Sequence, residues 1–282
     1  MIESAACGLA GPARPQAAGI PRGNVAQRIQ RRKRLSALPG DPAWERGKAA
    51  RRNLGHGEAV LEVSFLQHQF RLQWGRRVAG PVVDLNLILT TLTAKRIPFV
   101  LTGAHGIAGW TGKPRNTLDV DILVKAGRNH ARAVKALRAL YPQLEVRNFV
   151  GVVAFFVPGE KTSVIDVTYP HRADLEETLA NPTWAENEEQ GLRYCVPSLE
   201  EALANKYGAM LTLSRELDKR MQDAVDFTRM VQHSGDEGRQ PIDLKRLEFL
   251  GEKVWPAGGG EELLRLVAQV QAGRAIDLNA LG

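Results

Sequence analysis

The chain has 282 residues, 44% hydrophobic, 24% charged and 6% aromatic, with a formal net charge of +7. That composition excludes a collagen-like repeat, a disulfide scaffold and a wholly disordered chain, and the length allows one or two domains with a full-sized core. The charge is unevenly placed. Residues 1–80 hold 14 Lys/Arg against 5 Asp/Glu, a balance of +9, so the other 202 residues carry −2. Nucleic-acid contact argued from a high pI therefore extends to an N-terminal arm alone. The longest apolar run, Val150 to Val157 broken by Gly151, falls far short of the roughly 18 residues a membrane span needs. The first twenty residues show no compact apolar stretch after a basic start, and Cys7 and Cys195 lie far apart. A cytoplasmic protein with reduced thiols is the expectation.

Residues 1–57 are rich in Ala, Gly, Pro and Arg, with Arg31-Arg32-Lys33-Arg34 the densest basic cluster. Apolar residues are too sparse to offset ordering entropy, so the composition predicts a disordered basic extension. Residues 58–80 read as strand-like, because Phe70, Leu72 and Trp74 alternate with Arg71 and Gln73. A catalytic core is expected over residues 81–172. Leu85, Ile88, Leu89 and Leu92 recur at helical spacing up to about Lys95, and Ile97-Pro98 breaks the pattern. Strands follow at 99–102 and 117–125, then a helix through Ala131, Val134, Leu137 and Leu140. Further strands read at 144–148, 150–157 and 162–169, the last two joined by a Pro158-Gly159 turn. After Pro170 the strands are expected to stop, leaving residues 173–282 as a helical C-terminal region. Ser198 with Glu201 opens one of its helices as a capping box.

The chemistry concentrates between Leu101 and Val124. Asp119 and Asp121 stand two apart in the second predicted strand, so both side chains share a face while Val120, Ile122 and Val124 take the buried one. Adjacent carboxylates raise each other's pKa, and a divalent cation relieves the conflict. Asp166 interrupts the β-branched run Val164-Ile165-Asp166-Val167-Thr168, where propensity disfavours it. If that strand neighbours the first, three carboxylates converge into the ligand set for two ions about 4 Å apart. Upstream, Gly103-Ala104 ends a buried strand and opens a short helix from His105 to about Trp110. Glycine there lets backbone approach a phosphate, and Lys113 and Arg115 add positive charge.

The order strand, Gly103-Ala104, helix, then Gly112-Lys-Pro-Arg-Asn-Thr-Leu-Asp-Val-Asp121, with a later strand Asp, resembles the nucleotidyltransferase superfamily of the DNA-polymerase-β type. The particular form is similar to the bacterial branch that includes AbiEii-type toxins, over roughly residues 82–233. Ser198-Leu-Glu-Glu-Ala-Leu-Ala-Asn-Lys206 is similar to a helix of that branch whose Lys faces the nucleotide, and Asp223 matches a later Asp. The resemblance implies an α+β fold, a nucleotidyltransferase-type mixed sheet with flanking helices followed by helices. It implies transfer of an NMP from an NTP such as ATP to a hydroxyl of RNA, a small molecule or a protein. Asp119, Asp121 and Asp166 would hold two Mg²⁺ or Mn²⁺ ions, with Gly103, Ala104, Lys113, Arg115 and Lys206 on the nucleotide. A toxin of this kind would have an antitoxin partner. Ala104 stands where the superfamily commonly has Ser or Gly, so a Ser hydroxyl contact to phosphate is absent while the backbone N–H is kept.

Blander readings stand beside these. Lys206 lies on an apolar helix face and would otherwise snorkel over the core. Asp223 would otherwise pair with Lys219 one turn away. His105 reads as a polar residue at a helix start, and His171 has no evident partner. A glycosyltransferase also uses Asp-x-Asp, but the Gly103 turn and the Asp166 strand disfavour it. A non-catalytic relative that binds a nucleotide or a partner is the alternative of a different class.

Overall fold

The structure, a computed structural model of the chain, describes residues 58–60, 62–64, 66, 83–113, 115–187, 192–236 and 239–281. The basic extension of residues 1–57 and the alternating stretch 70–74 lie outside these. Residues 58–60, 62–64 and 66 are helical rather than strand-like. The spacing explains the difference: Ala59, Val60 and Val63 fall on one helical face and all three are buried.

Helix α1, Leu85–Ala94, buries Leu85, Ile88, Leu89 and Leu92 on one stripe. Its N-cap is Asp84, whose Oδ1 accepts from the backbone N–H groups of Asn86 and Leu87 at 2.9 and 3.2 Å. Strand β1 (Val100–Leu101) leads into two short helices, α2 (Gly103–Gly106) and α3 (Ala108–Thr111), where the sequence suggests one. Strand β2 (Val120–Leu123) and helix α4 (Arg128–Leu140) follow, then the meander β3 (Glu145–Phe149), β4 (Val152–Phe156) and β5 (Ser163–Thr168).

The strands do not stop at Pro170. After helix α5 (Ala173–Ala180), strands β6 (Thr183–Asn187) and β7 (Leu192–Val196) form a hairpin that joins the sheet. Edge placement hid it: along β6 Ala185 is buried, while Trp184 and Glu186 are exposed beside Arg193 of β7. A strand with so little buried surface gives a weak apolar pattern. The sheet has seven strands in the order β3-β4-β5-β2-β1-β7-β6. Strands β2 and β5 pair in parallel, as do β1 and β7, and β1 is antiparallel to β2. The fold is thus α+β with a mixed sheet, as the sequence predicts.

Helices α6 (Leu199–Leu211), α7 (Leu217–Ser234), α8 (Leu244–Val254) and α9 (Gly259–Gln271) pack around a second core that includes Leu203, Tyr207, Met210, Phe227, Leu250 and Leu266. Ile107, between α2 and α3, belongs to this core, and α7 packs on α3. The helices therefore lean on the segment that follows β1. Among the described residues no helix is long and apolar enough to cross a membrane.

Candidate active site

The acidic trio is a product of sheet register. Asp121 of β2 lies directly opposite Asp166 of β5. Their neighbours Val120, Ile122, Ile165 and Val167 are all 0% exposed and fill the opposite face. That burial fixes which way the carboxylates point, since a slip by one residue would turn the apolar set to solvent. Asp119 stands one residue before β2, and one carboxylate oxygen from each of Asp119, Asp121 and Asp166 lies within 4.8 Å of the others. Asp119 accepts a short hydrogen bond from the Thr117 hydroxyl. Asp166 Oδ1 is buried with no hydrogen-bond partner.

The electrostatics follow from this crowding. Burial, then the charges of Asp119 and Asp166, push Asp121 well above the usual carboxylate range. Burial pushes Asp166 up to about 6; the Asp119 charge adds to it, while a hydrogen bond from Ser163 and the charges of Lys219 and Arg215 oppose it. Asp121 and Asp166, buried and this close to a further carboxylate, resist ionisation without a cation.

Gly103 packs against the trio. Its φ is +60°, and a Cβ there would collide with the Asp121 carboxylate. The Thr102 N–H donates to the Asp121 carbonyl at 2.9 Å, tying the turn to β2. Ala104 and His105 come next and are buried, His105 completely. Neither His105 ring nitrogen has a hydrogen-bond partner, and burial lowers its pKa to about 4, with Arg115 also lowering and Asp119 opposing. His105 does stand at a helix start, in α2, and there it is a buried neutral group.

The predicted phosphate cations are differently placed. Lys113 is exposed beyond α3. The other two enter an ion-pair chain between α6, α7 and the loop before β2. Arg115 directs Nε and Nη2 at Asp226, with Nε at 3.0 Å and Nη2 at 3.1 Å, while Nη1 donates to the Asn116 carbonyl at 3.2 Å. Lys206 donates to Asp223 at 2.7 Å and to Asp226 at 2.8 Å. Burial pushes the Lys206 ammonium down, but Asp226 and Asp223 outweigh it and hold the pKa above the usual lysine value. Burial likewise pushes Asp226 up, and Lys206 and Arg115 outweigh it downward. Lys206 is therefore a buried paired charge rather than a snorkelling one.

Asp223 also accepts from Arg215 Nε at 2.8 Å. Lys219, the helical neighbour expected to hold Asp223, pairs with Glu216 at 3.5 Å instead. Sequence reasoning missed Asp226 and Arg215. A signal existed for Asp226: Asp223, Asp226, Phe227, Met230 and Val231 form one buried helical stripe, and two carboxylates on an apolar stripe demand cations. Arg215 sits in a short turn, where periodicity has nothing to say.

No protein-family model matches the chain, and no curated protein matches it. Solved structures with a similar arrangement include an antigenic nucleotidyltransferase-like protein from Paracoccidioides brasiliensis, at 16% identity and a TM-score of 0.41, covering 68% of this chain and 92% of that one. The antibiotic-resistance factor ANT(2'')-Ia aligns at 11% identity and 0.39, covering 67% and 94%. JHP933 from Helicobacter pylori aligns at 15% and 0.36, covering 67% and 88%.

Proposed function

We propose that the chain is a divalent-metal-dependent nucleotidyltransferase, moving an NMP from an NTP to a hydroxyl and releasing pyrophosphate. The observation that carries this reading is the convergence of Asp119, Asp121 and Asp166 within 4.8 Å, against a glycine turn that has no side chain to crowd the Asp121 carboxylate. The donor set suits Mg²⁺ or Mn²⁺: hard carboxylate oxygens, raised carboxyl pKa values and an orphaned Asp166 Oδ1. Asp119 and Asp121 would hold two ions and Asp166 would complete the set. Such ions, when bound, neutralise phosphate charge and lower the pKa of the attacking hydroxyl. Gly103 and Ala104 bring main chain beside the NTP phosphates. Asp166 would also assist in taking the proton of the acceptor hydroxyl.

The +9 charge on residues 1–80 favours a polyanionic acceptor, an RNA end, over a small molecule or a protein side chain. A cytoplasmic toxin role with an antitoxin partner belongs to the same proposal. The test is incubation with each α-³²P-NTP, Mg²⁺ or Mn²⁺, and pooled RNA, metabolites or protein. Label should appear on an acceptor and fall to background in the Asp119→Asn/Asp121→Asn double variant. A folded, metal-binding protein that labels nothing would leave only nucleotide or partner binding.

A further inference from the structure

Within the ion-pair chain the cations differ in how far their donors are already committed. Arg115 has all three guanidinium nitrogens engaged, on Asp226 and the Asn116 carbonyl. Lys206 is held between two carboxylates and is only 10% exposed at its side chain. Arg215 differs. Its Nε donates to Asp223 Oδ2 at 2.8 Å, its terminal nitrogens have no hydrogen-bond partner among the described residues, and its side chain is 39% exposed. It belongs to the turn between α6 and α7, where its own N–H donates to the Thr212 carbonyl at 3.0 Å. Arg220 fixes the same turn by donating from Nε to the Met210 carbonyl at 2.7 Å. Through Asp223, Lys206 and Asp226, Arg215 is linked in turn to Arg115, in the loop that carries Asp119.

We infer that Arg215, anchored through Nε by Asp223 and carrying two open terminal nitrogens, is the group that grips the phosphates leaving as pyrophosphate. This rests on the nucleotidyl-transfer reading above. In that step the acceptor oxygen bonds the α-phosphorus while the bond from that phosphorus to the α,β-bridging oxygen breaks. The bridging oxygen takes the electron pair, and the acceptor's proton passes to Asp166 and on to water. Charge builds on the β-phosphate, and a planar fork with two free N–H edges matches two phosphate oxygens. Lys206, assigned to the triphosphate by the sequence resemblance, acts instead through Asp223: it and Arg215 share that carboxylate, so Lys206 positions the guanidinium.

Binding measurements on the full chain with Mg²⁺ test this, using the four NTPs, the four NMPs and inorganic pyrophosphate as probes. Pyrophosphate makes the readout independent of the base. Arg215→Met should weaken NTP and pyrophosphate about 10- to 100-fold and leave NMP within about 2-fold. Arg215→Lys keeps the charge on Asp223 but not the fork; it should restore the wild-type melting temperature while leaving most of the pyrophosphate defect. Equal losses for NTP and NMP, or full rescue by lysine, would make Arg215 structural and overturn the assignment. Wild-type-like pyrophosphate binding in Arg215→Met would overturn it too, with nucleotidyl transfer untouched. Absence of metal-dependent NTP and pyrophosphate binding by the wild type would overturn both.

Discussion

At Gly103 two constraints fall on one residue: a positive φ and contact with the Asp121 carboxylate. A methyl group there must either displace the carboxylate or strain the turn. Gly103→Ala should therefore cost about 1–3 kcal/mol of stability and remove most of the activity, read by thermal melting and the labelling assay. The trio's own charges work against the fold. Carboxyls whose pKa values are raised on folding bind protons more tightly in the native state, so stability falls as pH rises from the ordinary value of 3.8 through about 6. Melting curves of the metal-free protein should show that decline, and Mg²⁺ or Mn²⁺ should reverse it, with cation affinity rising over the same window. By the same logic Asp121→Asn should raise the metal-free melting temperature at neutral pH while abolishing transfer. A lower melting temperature in that variant would mean the carboxylate is held by cations the protein already supplies.

Among the elements, β2 and β5 were legible because each carries an aspartate inside a run of β-branched or aliphatic residues, a local contradiction that points to function. Their parallel pairing, which puts Asp121 opposite Asp166, was a condition the sequence could state but not settle. The hairpin β6–β7 was not legible, since an edge strand with Ala185 inward and Trp184 and Glu186 exposed offers little apolar periodicity. The partners of Lys206 were hidden for another reason: they lie 17 and 20 residues away on the next helix, beyond any rule of helical neighbours. Because that ammonium is buried between carboxylates, Lys206→Met should destabilise by about 3–5 kcal/mol, measured by denaturant unfolding. A loss near zero would show that Arg115 and Arg215 alone satisfy Asp226 and Asp223.

For the whole molecule, two cores meet at the turn after β1. Sheet and flanking helices form one, the α6–α9 helices form the other, and Ile107 sits in the second while Leu101 sits in the first. The residues between them, Thr102 to Gly106, include the turn that touches Asp121, so the site lies where neither core can shift without disturbing it. The trio is proposed to be a cation site that nucleotide completes. It is tested most directly by titrating Mn²⁺ into the protein with and without NTP and counting bound ions by electron paramagnetic resonance. Two ions should bind in the presence of NTP, fewer without it, and both should be lost in the Asp119→Asn/Asp121→Asn variant. Binding that survives in the variant, or that ignores the nucleotide, would contradict it.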